Sequence, residues 1–124
     1  MNNDNDVALF CATDPFGRSI SLSSNRYYQH ILSNDGTHQA HPEFEPSEIK
    51  ETIESPDVIY GSSSFDNRDV FFGKSCQKYP MLFLKVPVEI DDQASTGEVV
   101  TAFLTKHISG NLDEGELKYV KSEL

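Results

Sequence analysis

The fold is decided by residues 81–90, M-L-F-L-K-V-P-V-E-I, because apolar side chains alternate along the whole stretch. One face of the predicted strand collects Leu82, Leu84, Val86, Val88 and Ile90. The opposite face collects Met81, Phe83, Lys85, Pro87 and Glu89. A period of two with one apolar face predicts a long, half-buried β-strand, and Pro87 indicates an edge or a bulge near its end.

Other alternating stretches predict a sheet around this strand. Val58–Tyr60 and Val70–Phe72 are short strands joined by a polar loop, and Val99–Ile108 is a last strand after the polar hairpin loop 91–97. In the simplest register of the final hairpin, Lys85 lies opposite Phe103 and Ile90 lies opposite Glu98. The sheet therefore comprises about four strands over residues 57–108.

The first half of the chain predicts a hairpin and two helices. Two short strands over residues 7–22 flank the turn signal D-P-F-G at 14–17. Ser23 or Ser24 suits the N-cap of a helix that extends to about Leu32. A second helix begins near Pro46 and ends before Pro56, so the helical part covers residues 23–56.

These elements predict an α+β fold in one domain, residues 1–124. An N-terminal hairpin and two helices would pack on a roughly four-stranded antiparallel sheet. Residues 1–6 are expected to be disordered, and residues 109–124 are expected to form a polar tail.

Composition narrows the classes of function. The chain holds 20 acidic and 10 basic residues, a net charge of −10, which disfavours non-specific attraction to nucleic acid. Four cations, Arg68, Lys74, Lys78 and Lys85, nevertheless lie between two acidic segments, residues 43–57 and 89–98. No apolar run is long enough to span a bilayer and no signal peptide is visible, so we expect a cytoplasmic protein with no membrane contact. The two cysteines are expected to be reduced.

Three of the four histidines, His30, His38 and His41, lie within residues 30–43. Histidine titrates between pH 5 and 8, so a converging pair is a candidate for general acid–base catalysis. Two other interpretations stay open: a polar loop without function, and a zinc site, although the spacing matches no standard zinc template.

The polar face of the last two predicted strands supplies further candidates. Lys85 lies near Thr101 and Thr105 in the simple register, and His107 continues the same row. Arg26 shares a helix face with His30. If residues 30–41 fold over this sheet face, these groups suit RNA cleavage by transphosphorylation, a reaction in which the 2′-OH is the nucleophile. A solvated sheet face would show the same residues.

Four segments together resemble a known family. They are L-S-S-N-R-Y-Y-Q-H-I-L (22–32), H-P-E (41–43), E-I-K-E-T-I-E-S-P-D-V-I (48–59) and V-V-T-A-F-L-T-K (99–106). Their order and content resemble the phage-associated nucleases of the barnase, EndoU, colicin and RelE-like superfamily, over roughly residues 16–108. Phe103 stands where that family often has tyrosine, and the loop that contains His38 is longer than expected.

The resemblance implies a metal-independent endoribonuclease of toxin-like or mobile-element type, with His30 and His41 as acid and base. Lys85, Thr101 and Thr105 complete the predicted catalytic set, and Arg26, Lys74 and His107 are the predicted substrate contacts. RNA, with tRNA as one candidate, is the expected substrate, and an immunity or antitoxin protein is a candidate partner. No cofactor and no metal are expected.

A second hypothesis belongs to a different class. A non-catalytic protein, either a degenerate nuclease fold or an immunity-type partner, would use its acidity to bind a basic protein. A nuclease should place an imidazole pair and Lys85 around one pocket with a positive local field. A binding protein should show those groups dispersed and a broad acidic or apolar patch instead.

Overall fold

An antiparallel hairpin lies at the N-terminal end of the fold. In the computed structural model, which describes residues 6–31, 45–62, 65–108 and 114–121, β1 (Ala8–Thr13) pairs with β2 (Ser19–Ser23). The Asp14 carboxylate accepts hydrogen bonds from the backbone amides of Phe16 and Arg18, which closes the turn. Gly17 has φ +82, a conformation that a residue without Cβ adopts at no steric cost.

The helical part is short. Helix α1 (Ser24–Arg26) has Ser23 as its N-cap, whose hydroxyl accepts a hydrogen bond from the Arg26 amide, and it continues as a π-helical turn over Tyr27–Ile31. Helix α2 (Pro46–Glu54) begins at a proline, which has no amide hydrogen to leave unsatisfied in a first turn.

The remaining strands follow α2 along the chain. They are β3 (Val58–Ser62), β4 (Arg68–Gly73), β5 (Phe83–Asp91), β6 (Thr96–Val99), β7 (Phe103–Thr105) and β8 (Glu114–Val120). The sheet order is β1-β2-β6-β5-β4-β3-β8, and β7 also pairs with β5. The β2–β6 pairing is parallel and the other pairings are antiparallel, so the sheet is mixed.

The predicted fold class is therefore wrong. We expected an α+β fold with two helices packed on a four-stranded antiparallel sheet, whereas the described chain is mostly β, with eight strands in one mixed sheet and two short helices. The hairpin is the physical reason: β2 pairs with β6, so the hairpin extends the sheet instead of lying apart from it. At the other edge of the sheet, β8 pairs with β3, although residues 109–124 were expected to form a polar tail.

The predicted last strand, Val99–Ile108, is interrupted. Residues 100–102 separate β6 from β7, and the Val100 amide donates to the Pro87 carbonyl at 2.9 Å. Beyond the interruption Lys85 pairs with Phe103, as in the simple register, whereas Ile90 pairs with Gly97 and not with Glu98. One extra residue is thus inserted opposite β5, as in a β-bulge.

One face of the sheet forms the main apolar core. Ile49 and Ile53 of α2 and Tyr27 and Ile31 of the π-helical turn are buried in the same cluster as the sheet residues Ile20, Leu22, Ile59, Phe71, Leu84, Val86, Val88, Ile90 and Val99. The predicted apolar face of residues 82–90 accordingly points inward from Leu84 onward. The opposite face of β4, β5 and β7 lies outside this cluster, and it holds several of the predicted site residues.

Candidate functional site

Strands β4, β5 and β7, with Lys74 directly after β4, place two lysines, three aromatic rings and a threonine on the sheet face opposite the core. We call this group the lysine–aromatic face; its residues are Phe72, Lys74, Phe83, Lys85, Phe103 and Thr105. The strand register produces it, because Lys85 pairs with Phe72 on β4 and with Phe103 on β7. Directly paired residues project from the same side of a sheet and their side chains are neighbours.

Lys85 lies at the centre of this face and is buried, with 3% of its surface exposed. Its Nζ is 5.7 Å from the centroid of the Phe72 ring and 5.5 Å from the centroid of the Phe103 ring. An ammonium over an aromatic face is attracted by the negative charge of the π cloud, by about 0.5–2 kcal/mol. The two rings therefore compensate part of the cost of removing this ammonium from water.

Lys74 is the accessible cation of the same face. Its side chain is exposed, and its Nζ lies 4.9 Å from the centroid of the Phe83 ring. Phe83 is half-buried and pairs with Thr105 across the β5–β7 ladder. An exposed ammonium above a half-exposed ring can contact a phosphate while the ring contacts a base.

Thr105 and His107 lie at the same end of the sheet. The Thr105 hydroxyl donates a hydrogen bond of 3.3 Å to the His107 carbonyl, and the His107 side chain is exposed. Thr105 is also diagonal to Lys85, because the residue directly opposite Lys85 is Phe103. The structure therefore brings Lys74, Lys85, Thr105 and His107 to one region.

Thr101 lies in the interruption between β6 and β7. Its Oγ1 atom is buried and has no hydrogen-bond partner among the described residues. A buried hydroxyl without a partner costs roughly 1–3 kcal/mol.

Arg26 does not lie on the lysine–aromatic face. Its exposed side chain lines a separate cavity of about 660 Å3 beside the end of β6. The backbone of His30 lies one helical turn beyond Arg26. The role of the His30 imidazole as an acid or base stays a prediction. His38 and His41 lie outside the described residues, as does the expectation that residues 30–41 fold over the sheet.

Sequence analysis missed the aromatic rings of the site. Phe72 and Phe83 were assigned to strands, but neither was expected to contact a lysine. The available signal was the spacing F83-L-K85, which places a ring and an ammonium on one face of a strand. To predict that Phe72 pairs with Lys85, one must know the register of β4 against β5. The alternation of apolar residues does not determine that register.

Among the described residues, the pKa of Tyr27 is clearly shifted. Burial raises the pKa of Tyr27 above its ordinary value of 10.0, and the carboxylate of Glu45, the neighbouring Tyr28 and the carboxylate of Glu48 raise this pKa further. Tyr27 packs in the core cluster. Its raised pKa therefore affects the stability of the fold and not the chemistry of the candidate site.

Within the described ranges, no group of three or more His, Cys, Asp or Glu side chains is arranged to hold a metal ion. The zinc hypothesis depends on His38 and His41 and is therefore untested. No helix in the described part of the chain is long and apolar enough to cross a membrane. Comparisons with protein-family models, with curated proteins and with solved structures found no match.

Proposed function

We propose that this protein is a metal-independent endoribonuclease that binds RNA on the lysine–aromatic face. The observation that supports the proposal is the strand pairing of β5 with β4 and β7. It gathers on one surface Lys74, Lys85 and Thr105, which the sequence suggested for phosphate chemistry, together with three aromatic rings.

The chemistry of this face suits a single RNA strand. Unpaired bases stack on aromatic side chains, and cations beside the rings bind the backbone phosphates. Phe83 and Phe103 are half-buried, so each keeps some exposed surface, and the exposed Lys74 ammonium lies above Phe83. A protein of strongly negative net charge would bind RNA only where such a local concentration of cations exists.

The two lysines have different roles in this proposal. Lys74 is exposed and contacts a phosphate directly. Lys85 is buried between Phe72 and Phe103, so it acts by placing positive charge beneath the face and by holding the Phe103 ring in position.

The proposed reaction is transphosphorylation. The 2′-oxygen of the substrate attacks the adjacent phosphorus while an imidazole accepts its proton. The bond between phosphorus and the 5′-oxygen breaks, and a second imidazole gives its proton to that leaving oxygen. The products are a 2′,3′-cyclic phosphate and a 5′-hydroxyl end.

His30 and His41 are the proposed imidazoles, on the strength of the family resemblance. Thr101 and Thr105 are proposed to donate hydrogen bonds to the phosphate, where negative charge develops in the transition state. The buried, unpartnered Oγ1 of Thr101 favours this assignment, because a bound oxygen atom would supply its missing partner. An antitoxin partner and a cytoplasmic location, where the free Cys11 and Cys76 would stay reduced, belong to the same proposal.

A second candidate function is supported by a different surface. Glu89 and Glu98 are directly paired across β5 and β6, and with Asp91 and Asp92 they line a cavity of about 560 Å3. Like charges directly opposite in a sheet destabilise it by roughly 0.2–1 kcal/mol, and a basic partner would remove this repulsion. This favours an acidic protein that binds a basic one.

RNA cleavage in EDTA distinguishes the two candidates. The full chain and the variants His30→Ala, His41→Ala and Lys74→Ala are incubated with total tRNA, and the ends of the products are identified. The proposal expects cyclic-phosphate ends from the parent, loss of cleavage in both histidine variants, and weaker cleavage in Lys74→Ala.

Lys121→Ala is the matched control, because Lys121 is an exposed lysine that follows β8 and is not part of the lysine–aromatic face. Its cleavage rate should equal that of the parent. A parent that cleaves no RNA, in a folded preparation tested on several substrates, would contradict the proposal and favour the acidic binding protein.

A further inference from the structure

The outer edge of β1 is an open edge of the sheet. β1 comes first in the sheet order, so among the described residues only β2 pairs with it. Sheet edges are commonly protected by charged residues and prolines, but β1 reads A-L-F-C-A-T and contains neither. Its register shifts between Ala8 and Phe10 and is regular from Phe10 to Thr13. The regular part of this edge can therefore pair with a further strand.

The backbone groups of Cys11 and Thr13 point toward the open edge. Ser19, the partner of Thr13, donates its amide hydrogen to the Ser95 carbonyl at 3.1 Å, on the β6 side of β2. Thr13 and Ser19 are therefore a pair without mutual hydrogen bonds, in which the backbone groups of both residues point outward. The alternation of an antiparallel ladder gives Cys11 the same direction as Thr13. In the part of the chain that the structure describes, no turn, loop or cap hydrogen bond involves either residue.

A groove lies between this edge and helix α2. Its volume is about 370 Å3, and it is lined by Leu9, Phe10 and Cys11 of β1 and by Pro46, Ser47 and Lys50 of α2. Leu9 and Phe10 are half-buried and pack against the core, so their positions are fixed. The groove thus combines unpaired backbone groups with apolar side chains that can hold one side chain of a ligand.

The helical wall of the groove is acidic. Glu51 and Glu54 follow Ser47 and Lys50 by four residues each, so the four side chains share one side of α2. Lys50 pairs with Glu54 at 3.6 Å in a largely exposed ion pair. Glu51 is exposed and, among the described residues, forms no ion pair. This wall therefore keeps a negative charge, within a chain of net charge −10.

We propose that this groove binds an extended, basic peptide segment of another protein, which pairs with β1 as an additional strand. In strand addition, the backbone hydrogen bonds contribute affinity and pockets for alternate side chains contribute specificity. One apolar residue of the segment would enter the cavity beside Leu9 and Phe10, and a basic neighbour would face Glu51. This surface is separate from the lysine–aromatic face, so the proposal does not depend on RNA cleavage.

A second copy of this chain fits the groove less well than a basic segment. Two copies paired through β1 would bring their α2 helices close together, and each helix carries Glu48, Glu51 and Glu54 against Lys50. Like charges that face each other across an interface oppose association. A segment rich in lysine or arginine has the complementary charge, and it is narrow enough to lie between a strand and a helix.

Fluorescence anisotropy with two synthetic peptides tests the charge of the ligand. The probe is a labelled heptapeptide of alternating lysine and valine, and its counterpart has glutamate in place of each lysine. The full chain should bind the basic peptide at least about 10-fold more tightly than the acidic one. Glu51→Gln should weaken binding of the basic peptide by about 2- to 3-fold. Glu116→Gln, at an exposed position on β8, is the matched control and should bind as the parent does.

Two further measurements test the pairing with β1. Thr13→Pro removes an outward amide and keeps the β1–β2 ladder, because this amide does not bond to β2. It should weaken binding by about 5- to 10-fold, the effect of one hydrogen bond, whereas Thr13→Val keeps the amide and should bind as the parent does. Amide hydrogen exchange needs no variant: the amides of Cys11 and Thr13 should exchange rapidly in the free protein and become protected when the basic peptide is bound.

Three results would overturn the proposal. They are the absence of binding of the basic peptide at millimolar concentration, equal affinity for the acidic peptide, and binding that leaves the exchange of the Cys11 and Thr13 amides unchanged. In the last case the peptide would bind another acidic surface, such as the cavity beside Glu89 and Glu98. RNA cleavage by the same preparations tests the ribonuclease proposal separately, so the failure of one proposal is distinguishable from the failure of the other.

Discussion

Asp69 is the residue on which a buried network of charges depends. Its side chain is only 3% exposed, and its Oδ2 atom lies 2.9 Å from Arg18 Nη2 in an ion pair that is not an aligned hydrogen bond. Its Oδ1 atom accepts from Lys118 Nζ at 2.8 Å. Arg18 also pairs with Asp14 at 2.7 Å. The network therefore ties the first hairpin and β8 to the middle of the sheet.

Asp69→Asn should lower the free energy of unfolding by about 2–3 kcal/mol. Removing one partner from a buried ion pair costs roughly 3–5 kcal/mol, and the value is reduced here because the Lys118 side chain is partly exposed. Urea denaturation measures the change. Asp66→Asn, at an exposed turn position, should change stability by about 0.5 kcal/mol or less, and an equal effect of the two substitutions would count against the network.

Tyr27 makes stability depend on pH in the alkaline range. The folded state raises the pKa of Tyr27, first through burial and then through Glu45, so the neutral phenol is favoured when the chain is folded. Below pH 10 the phenol is protonated in both states and its stabilisation is fully present. As pH rises above 10, the unfolded chain loses this proton first, and stability falls until the folded-state pKa is passed.

Tyr27→Phe should therefore lose less stability than the parent as the pH rises above 10. Chemical denaturation at a series of pH values provides the comparison. Tyr79→Phe is the control, because Tyr79 is exposed, and this variant should follow the parent. A Tyr27→Phe curve that is parallel to the parent throughout would refute the linkage.

The parallel pairing of β2 with β6 is the element that changes the fold from the predicted one. Gly97 lies within it, opposite Ile20, and there is no space for a side chain at this position. A Cβ atom there would lie 2.8 Å from Ile20 Cδ1, 2.9 Å from Ile90 Cδ1 and 3.0 Å from the Glu89 carbonyl oxygen. The contact between the hairpin and the rest of the sheet thus requires glycine.

Gly97→Ala should destabilise the protein by about 1–3 kcal/mol, because the added methyl group forces two buried isoleucines to move. Thermal or urea unfolding measures this loss. Thr96→Ala, at the adjacent exposed position, is the control and should have a much smaller effect. A neutral or stabilising Gly97→Ala would mean that β2 and β6 do not pack as described.

The strands with strong alternation could be predicted from sequence, and their pairing across the molecule could not. The predicted strand 81–90 largely coincides with β5, because apolar residues alternate along it. The β2–β6 pairing joins segments about 75 residues apart in sequence, and no local pattern encodes it. In β8, two glutamates and a glycine weaken the strand signal, and its partner is again distant.

In the candidate site, too, local pairs could be predicted from the sequence and non-local pairs could not. The opposition of Lys85 and Phe103 follows from a local hairpin, so sequence analysis predicted that pair correctly. The opposition of Lys85 and Phe72 arises from non-local pairing, so sequence analysis did not reach it. The roles of His30 and His41 stay predictions.

At the scale of the whole molecule, charge is divided between regions of the same sheet. The net charge of −10 repels a phosphate backbone at long range, while Lys74 and Lys85 attract it at one end of β5. Glu89 and Asp91 lie at the opposite end of that strand. We therefore expect an RNA strand to lie over the lysine end of β5 and to avoid its acidic end.

The central claim is that RNA binds on the lysine–aromatic face, and its most direct test is the affinity for an oligonucleotide that cannot be cleaved. A fluorescent 2′-O-methyl RNA lacks the nucleophilic hydroxyl, so its dissociation constant is measurable by anisotropy over a range of salt concentrations. The parent is compared with Phe83→Ala and Lys74→Ala. Phe65→Ala and Lys121→Ala are the matched controls, because both positions are exposed and outside the face.

Phe83→Ala should weaken binding by about 10-fold, since stacking one base on a ring contributes roughly 1–3 kcal/mol. Lys74→Ala should weaken binding and reduce the slope of log affinity against log salt by about 0.7, the value for one phosphate contact to a single strand. Both controls should bind as the parent does. Equal affinities for all five proteins, or no binding by the parent at low salt, would contradict the account.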